Sequence, residues 1–318
     1  MSEFDLIKQH FTRPTHHTNL GVGDDAALIS IATGMELAIS ADMLVAGTHF
    51  FADADPYKLG WKSLAVNVSD MAAMGAQPKW ATLAIALPDN DDKWLSAFSL
   101  GFFACATEFN IDLIGGDTTR GSLNICVQIM GELPSGQAIK RSGAKVGDEI
   151  WVSRILGNAA LALAHMQNRL KLPEDVFEVC AQALHTPQPR VALGLALRGI
   201  ANSAIDVSDG LLADLGHILQ ASDVGATLQL SSIPHSAHLA AEALHDNRII
   251  SLLLAGGDDY ELCFTAPAEK HSEILKLSEI LALPLSHIGL ITSNASLIVH
   301  DLNNEILDIK ETGFDHFS

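Results

Sequence analysis

Five short segments of this 318-residue chain place aspartates directly after an apolar run and beside glycine or serine: GVGDDAAL, AISADML, LIGGDTTRG, AIDVSDGLL and LAGGDDYEL. Carboxylate oxygens are the ligands that hard cations such as Mg²⁺ prefer, and glycine lets a backbone approach a ligand closely. One such dipeptide is ordinary turn chemistry. Five in one chain point to loops whose carboxylates face a common cleft. The chain has no GxxxxGK[ST] loop and no HRD or DFG element, and GGDTTRG lacks the spacing of a dinucleotide fingerprint. A nucleotide bound here would therefore be held mainly through metal ions that bridge its phosphates to the acidic site. Cys105, Cys126, Cys180 and Cys263 are far apart and form no CxxC pair. They read as buried thiols of a reducing compartment rather than as a zinc site.

The elements that would carry these carboxylates are legible from pattern. Met35 to Ala41 alternates as a strand that stops at Asp42, and Asp55 with Pro56 opens a helix through Trp61, Leu64 and Val68 to Gly75. Asn67, Asp70 and Met74 share one face of that helix. Trp80 to Leu87 reads as a strand, Lys93 to Phe109 as a helix, Ile111 to Ile114 as a short buried strand and Leu123 to Leu133 as a long one. Pro134 to Gly147, rich in Gly, Ser and Lys, reads as a domain junction. This gives an N-terminal domain over 1–140 and a C-terminal α/β domain over 141–318. In the latter, Glu149 to Ser153 is a strand, Asn158 to Gln167 a helix, Arg190 to Ala201 a helix and Ala204 to Val207 a strand. Asp209 then caps a helix through Leu219, a Gly-Gly turn at Gly256 precedes the strand Tyr260 to Thr265, and a helix-strand pair follows. The fold class is α+β in two domains.

The 38 acidic against 19 basic residues give a formal net charge of −19. That field repels polyanions and no Lys/Arg run offsets it, so nucleic acid is not expected as a partner. No uncharged apolar run reaches the ~18 residues of a membrane span, and MSEFDLIKQHF carries acids where a signal peptide is positive. The cytoplasm is the expected location, with no membrane partner.

GVGDDAAL, the segment from Ser40 through AGTHF, AVNVSDMAAMGAQP, LIGGDTTRG, KRSGAKVGD, AIDVSDGLLADLGHI, GGDDYELCF and the final GFDHF occur in the order seen in thiamine-monophosphate kinases. The chain resembles that family over nearly its whole length, and with it the related aminoimidazole ribonucleotide synthetases, selenophosphate synthetases and a hydrogenase-maturation ATPase. The resemblance implies a homodimer whose N-terminal mixed α/β sheets join into a β-barrel at the interface, with a C-terminal α/β sandwich domain. It implies that the N-terminal domain binds metal and nucleotide and dimerises. It implies transfer of the ATP γ-phosphoryl group to thiamine monophosphate, giving thiamine diphosphate and ADP with the help of several Mg²⁺ ions. Carried over residue by residue, it makes Asp25, Ser40, Asp42, Asp70, Asp117, Asp206 and Asp209 magnesium ligands. Gly116, Asp117, Arg141 and Ser208 become ATP contacts, and His49, Asp258 and Phe314 acceptor contacts. No side chain acts as a catalytic base; Asp42, Asp117 and Asp206 are nearest the chemistry. An acceptor that is already an anionic phosphate requires little proton removal. The obstacle is repulsion, about 4 kcal/mol for two unit charges 4 Å apart at an effective dielectric near 20.

The residues support parts of this on their own. Asp70 sits among the apolar neighbours of VNVSDMAAMG, where a buried charge without a cation would be costly. Asp24 and Asp25 point opposite ways in extended backbone; the family assigns the metal to the second, leaving Asp24 a capping or supporting role. Arg141, with Lys140 and Lys145, forms a local cationic cluster suited to phosphate. Three departures from the family pattern stand out. Asp258 replaces the usual glutamate, Ala41 replaces a hydroxyl residue that ligates metal, and Phe314 replaces tyrosine or tryptophan. Asp259 or Glu261 is the fallback for the acceptor contact. Two alternatives stay open: another ATP-using enzyme of the same superfamily, or a non-catalytic protein that binds nucleotide or divalent cations.

Overall fold

The computed structural model describes residues 3–236, 244–309 and 313–314. Two units separate in it: Met1–Met71 with Ala76–Ala138, and Ala72–Gly75 with Ile139–Ser318.

The first unit opens with helix α1 (Glu3–Leu6), which runs into a π-helical turn over Ile7–Phe11, and with a small antiparallel pair, β1 (Thr18–Leu20) and β2 (Leu28–Ile29). There follow β3 (Met35–Val45), α2 (Pro56–Ala73), β4 (Gln77–Leu87), α3 (Asp92–Glu108), β5 (Asp112–Arg120) and β6 (Asn124–Pro134). The sheet order is β3-β6-β4-β5, antiparallel except for the parallel β4-β5 pair, which α3 connects as a crossover. Alternation along β6 buries Ile125, Val127 and Ile129 on one face and exposes Gln128 on the other. Helix α2 begins where Pro56 needs no N–H, with the Asp55 carboxylate accepting the Lys58 N–H at 3.0 Å. Gly60 and Gly101 let α2 and α3 touch backbone to backbone. A Cβ on Gly60 would lie 2.0 Å from the Phe98 carbonyl, and one on Gly101 1.8 Å from that of Tyr57.

Strand β4 starts at Gln77, ahead of the expected Trp80, and α2 ends at Ala73 rather than Gly75; two further differences concern candidate ligands. Strand β3 does not stop at Asp42 but continues through Met43, Leu44 and Val45, because β6 offers partners all the way to Asn124. Strand β5 does not end at Ile114: it carries Gly115, Gly116 and Asp117 on through the ladder to Arg120, opposite β4. Asp42 and Asp117 are therefore strand residues, not loop residues.

The second unit contains β7 (Glu149–Ser153), α4 (Asn158–Met166), α5 (Glu174–His185), α6 (Val191–Ala196), β8 (Ser203–Asp206), α7 (Leu211–Ser222), β9 (Gly225–Gln229), α8 (Asn247–Ala255), β10 (Leu262–Ala266), α9 (His271–Ile280), β11 (Leu285–Thr292) and β12 (Leu297–His300). Its sheet order is β12-β9-β11-β7-β10-β8, with only β12-β9 parallel. Leu211, Leu215 and Ile218 of α7 and Ile250, Leu253 and Leu254 of α8 pack in one cluster with Ile150, Val152, Leu228 and Ile291 of the sheet. On Trp151 lie Phe264 and His271. Helix α5 was not anticipated, and α6 is shorter than the Arg190 to Ala201 reading.

Among the described residues no helix is long and apolar enough to cross a membrane. All four cysteines are free thiols; Cys105, Cys180 and Cys263 are buried, whereas Cys126 is only half-buried. Burial holds the Cys105 thiol well above its ordinary range, and the negative charge of Glu108 adds to the rise.

Candidate active site

In the first unit the polar residues collect where α2 meets β3. Ser40 and Asp42 lie two apart on β3 and so share a face, in register with Ile129 and Val127 of β6. The Ser40 hydroxyl donates to Asp70 Oδ2 at 2.5 Å, and the Asp42 backbone N–H donates to Asn67 Oδ1 at 3.0 Å. Asn67 is fully buried and its Nδ2 donates one turn back, to the Ser63 carbonyl. The helix period thus places Asn67 and Asp70 against alternate residues of an edge strand. Beyond β3 the chain turns at Gly47, and His49 Nδ1 accepts the Val45 N–H at 3.0 Å, which fixes the ring against the strand end. Asp25 is exposed, and its N–H is held by the Asp24 carboxylate at 2.9 Å, so Asp24 acts as a local cap.

Gly116 and Asp117 stand on the other edge strand, β5. Gly116 has φ 150°, and a Cβ there would fall 1.8 Å from the Leu83 carbonyl, so only glycine fits. Asp42 shares a row with Val127, Leu83 and Gly116, whereas Asp117 shares the next row with Ala84, Cys126 and Met43. Three interstrand spacings separate the edges, roughly 14 Å. Asp117 and Ala84 are exposed while Val127 and Leu83 are buried. One copy of this sheet brings Ser40, Asp42 and Asp70 together and keeps Asp117 apart from them.

In the second unit β8 ends at Asp206, buried and paired with Leu262 of β10. Asp209 does not cap the following helix. Helix α7 starts at Leu211 behind Gly210, whose φ is 120°, and no side chain caps it at that position. Instead the N–H groups of Ser208, Asp209 and Gly210 converge on Oδ2 of Asp214, at 3.0, 3.0 and 3.1 Å. Asp214 is 2% exposed. Burial pushes its carboxyl up to about 7, against the three N–H groups that favour the anion and with the Asp209 charge adding to the rise. Sequence reasoning missed this residue; its signal was a second carboxylate one turn into the helix of SDGLLAD.

The GGDDYE segment interlocks with that loop. Asp258 N–H donates to the Ser208 carbonyl and Tyr260 N–H to that of Val207, both at 2.8 Å, and Val207 N–H returns to the Glu261 carbonyl at 2.8 Å. A Cβ on Gly257 would come within 2.3 Å of the Ser208 carbonyl. Asp259 is buried and its Oδ2 accepts the Gly157 N–H at 2.7 Å at the start of α4. Burial holds its carboxyl well above the usual range. Glu261 is buried between the Arg190 guanidinium and the Ser153 hydroxyl. Neither fallback carboxylate is therefore presented to a ligand. The Phe314 N–H donates to the Asp209 carbonyl at 3.1 Å, so Ser208, Asp209, Asp258 and Phe314 form one cluster. Of the terminal GFDHF, the last three residues lie outside the described ones. Arg141 is exposed on a loop pinned by Ser222, whose Oγ meets the Gly143 N–H at 3.1 Å, the Ala144 N–H at 3.2 Å and the Arg141 carbonyl at 3.3 Å.

Among the described residues no three His, Cys, Asp or Glu side chains converge as a ready-made metal cage. The Ser40 hydroxyl and the Asp70 carboxylate are one pair of oxygens that the structure brings together.

These two units, each a sheet flanked by helices and bearing aspartates on its glycine-rich turns and edge strands, define an AIR synthase-related protein. Residues 23–133 match the family described as AIR synthase related protein, N-terminal domain, and residues 145–301 its C-terminal domain. The chain is 44% identical to the thiamine-monophosphate kinase of Escherichia coli over 321 residues, which is 99% of this chain and 98% of that protein. The crystal structure of thiamine-monophosphate kinase from Stenotrophomonas maltophilia superposes with a TM-score of 0.85 at 44% identity, over 96% of each chain. AaThiL complexed with AMPPCP and TMP superposes with a TM-score of 0.79 at 28% identity, over 99% of this chain and 96% of that one. The chain belongs to the thiamine-monophosphate kinase family.

Proposed function

We propose that this chain transfers the γ-phosphoryl group of ATP to thiamine monophosphate, giving thiamine diphosphate and ADP, in the cytoplasm. The observation that carries the reading is the 44% identity to a thiamine-monophosphate kinase across essentially the full length of both chains. The acceptor phosphate attacks in line as an anion, so the chain's task is alignment and charge neutralisation rather than proton removal. Arg141 would clamp nucleotide phosphate, Gly116 and Ser208 would approach it by backbone and hydroxyl, and His49, Asp258 and Phe314 would hold the acceptor.

The oxygen donors Asp25, Ser40, Asp42, Asp70, Asp117, Asp206 and Asp209 suit Mg²⁺. That ion characteristically takes one or two carboxylates and completes its shell with waters and substrate phosphates, a role the adjacent Ser40 and Asp70 oxygens suit. Bound there, Mg²⁺ would offset the charge shared between the two phosphates. ADP release measured across several phosphate acceptors tests the activity: thiamine monophosphate should be preferred, and an equal or better rate with another acceptor would overturn the assignment. Asp42→Asn and Asp117→Asn should each lower kcat at least 100-fold with unchanged circular dichroism.

The reading includes a homodimer. Ile39 and Met43 on β3 are 57% and 53% exposed, and β3 and β5 are the two edges of the sheet. A barrel closed by two copies would cover that apolar row and set β3 of one copy beside β5 of the other, which brings the Asp42 and Asp117 edges together. Mixing inactive Asp42→Asn chains with inactive Asp117→Asn chains should then restore part of the activity, because one of the two sites in a mixed dimer is intact. A monomeric, active protein at micromolar concentration in sedimentation would remove the dimer.

A further inference from the structure

The segment 256–261 holds two non-glycine residues in left-handed backbone: Asp258 at φ 71° and Tyr260 at φ 50°. Aspartate tolerates that region better than most residues, but for a bulky tyrosine it is an outlier that persists only where its surroundings over-determine it. Here they do. Asp258 and Tyr260 are sewn to Ser208 and Val207 by backbone bonds, Asp259 is fastened to the start of α4, and Glu261 to Arg190 and Ser153. The side chains alternate in consequence. Asp259 and Glu261 are committed inward to structural bonds, while Asp258 is only half-buried.

The strained conformation has one product beyond these ties. It folds the Tyr260 ring, itself buried, back over its neighbour but one, so that the phenol hydroxyl donates to Asp258 Oδ1 at 3.0 Å. A phenol carried on a buried ring favours one orientation of the Asp258 carboxylate. Asp258 belongs to the same cluster as Ser208, Asp209 and Phe314.

Resting on the function proposed above, we infer that Tyr260 is a positioning residue for acceptor recognition: its hydroxyl aims the Asp258 carboxylate at the thiamine moiety of the acceptor. The short aspartate works at this position because the tyrosine supplies the fixed orientation that its shorter reach requires. Tyr260 acts through Asp258 and does not touch the nucleotide.

The experiment is a double-mutant cycle on the full chain, with KM for thiamine monophosphate and KM for ATP measured separately for Tyr260→Phe, Asp258→Ala and the double variant. Tyr260→Phe removes one oxygen and keeps the ring. It should raise KM for thiamine monophosphate 5- to 20-fold and leave KM for ATP within twofold. Asp258→Ala should raise KM for thiamine monophosphate at least as much, and the double variant should be no worse than Asp258→Ala alone. Full multiplicativity of the two effects, or an unchanged KM for thiamine monophosphate in Tyr260→Phe while Asp258→Ala raises it, overturns the positioning role and leaves the acceptor assignment standing. An Asp258→Ala variant with normal KM for thiamine monophosphate instead overturns the assignment of Asp258 itself. Should Tyr260→Phe fold poorly, Tyr260→Trp, which keeps an aromatic donor in the same cavity, must recover KM for thiamine monophosphate relative to Tyr260→Leu; equal values for the two refute the role of the donor.

Discussion

Replacing Asn67 by alanine probes how the first unit holds its acidic strand. Asn67 is fully buried on α2 and contributes two bonds, accepting the Asp42 N–H at 3.0 Å and donating to the Ser63 carbonyl at 3.1 Å. Within one copy β3 is an edge strand, and the Asn67 amide oxygen is the acceptor that meets the Asp42 N–H there. Without the amide it is left under the helix, at about 1–3 kcal/mol for an unsatisfied buried donor. The Ser63 carbonyl loses a second bond only, a smaller cost. The void left by the side chain adds about 1 kcal/mol, so Asn67→Ala should cost about 2–4 kcal/mol. Urea unfolding followed by tryptophan fluorescence can detect this, since Trp61, Trp80 and Trp94 lie in the first unit and Trp151 in the second. Freed from α2, Asp42 should shift, and misplacement by about 1 Å costs on the order of 100-fold in rate. We expect kcat to fall 10- to 100-fold with KM for thiamine monophosphate nearly unchanged. A loss of stability under about 0.5 kcal/mol together with a normal kcat would refute the reasoning.

Arg190→Met should destabilise the second unit by about 3–5 kcal/mol, because it strands the buried Glu261 carboxylate, whereas adding Glu261→Leu should recover most of that loss in thermal unfolding. Gly116→Ala forces a Cβ into the Leu83 carbonyl at 1.8 Å and should cost about 2–4 kcal/mol and weaken ATP binding measured by titration calorimetry; a variant with wild-type melting temperature contradicts the close approach. Asp214 titrates at about 7 in the folded chain against an ordinary value of 3.8, so between those values the native state keeps a proton that the unfolded chain has released. Its contribution to stability therefore falls as pH rises from about 4 to 7. The metal-free protein should lose melting temperature over that range, and Asp214→Asn should flatten the slope.

What could be read along the chain was whatever depends on neighbours in sequence. The α2 start at Asp55-Pro56 and the alternation of β6 follow from local backbone preference and from period, and Asp70 stood out because seven of its nearest neighbours on that helix offer no charge to pair with. The order of the motifs was enough to point to the family, since it is a property of the one-dimensional string. Only tertiary structure decided where strands end and which carboxylate serves which task. Asp42 looked like a strand terminus because a single aspartate breaks an apolar run, yet β6 pairs with it and continues to Val45. Asp209 looked like a helix cap, but Asp214 does that work from inside the helix, where its buried Oδ2 gathers three N–H groups of the preceding loop. In GGDDYE three carboxylates stand almost together in sequence. Backbone bonds to Val207 and Ser208, some fifty residues earlier, turn Asp259 and Glu261 inward and leave Asp258 under the Tyr260 hydroxyl. Hydrogen bonds between segments far apart in sequence leave no periodic signature in either one, so that assignment exists only once the chain has folded.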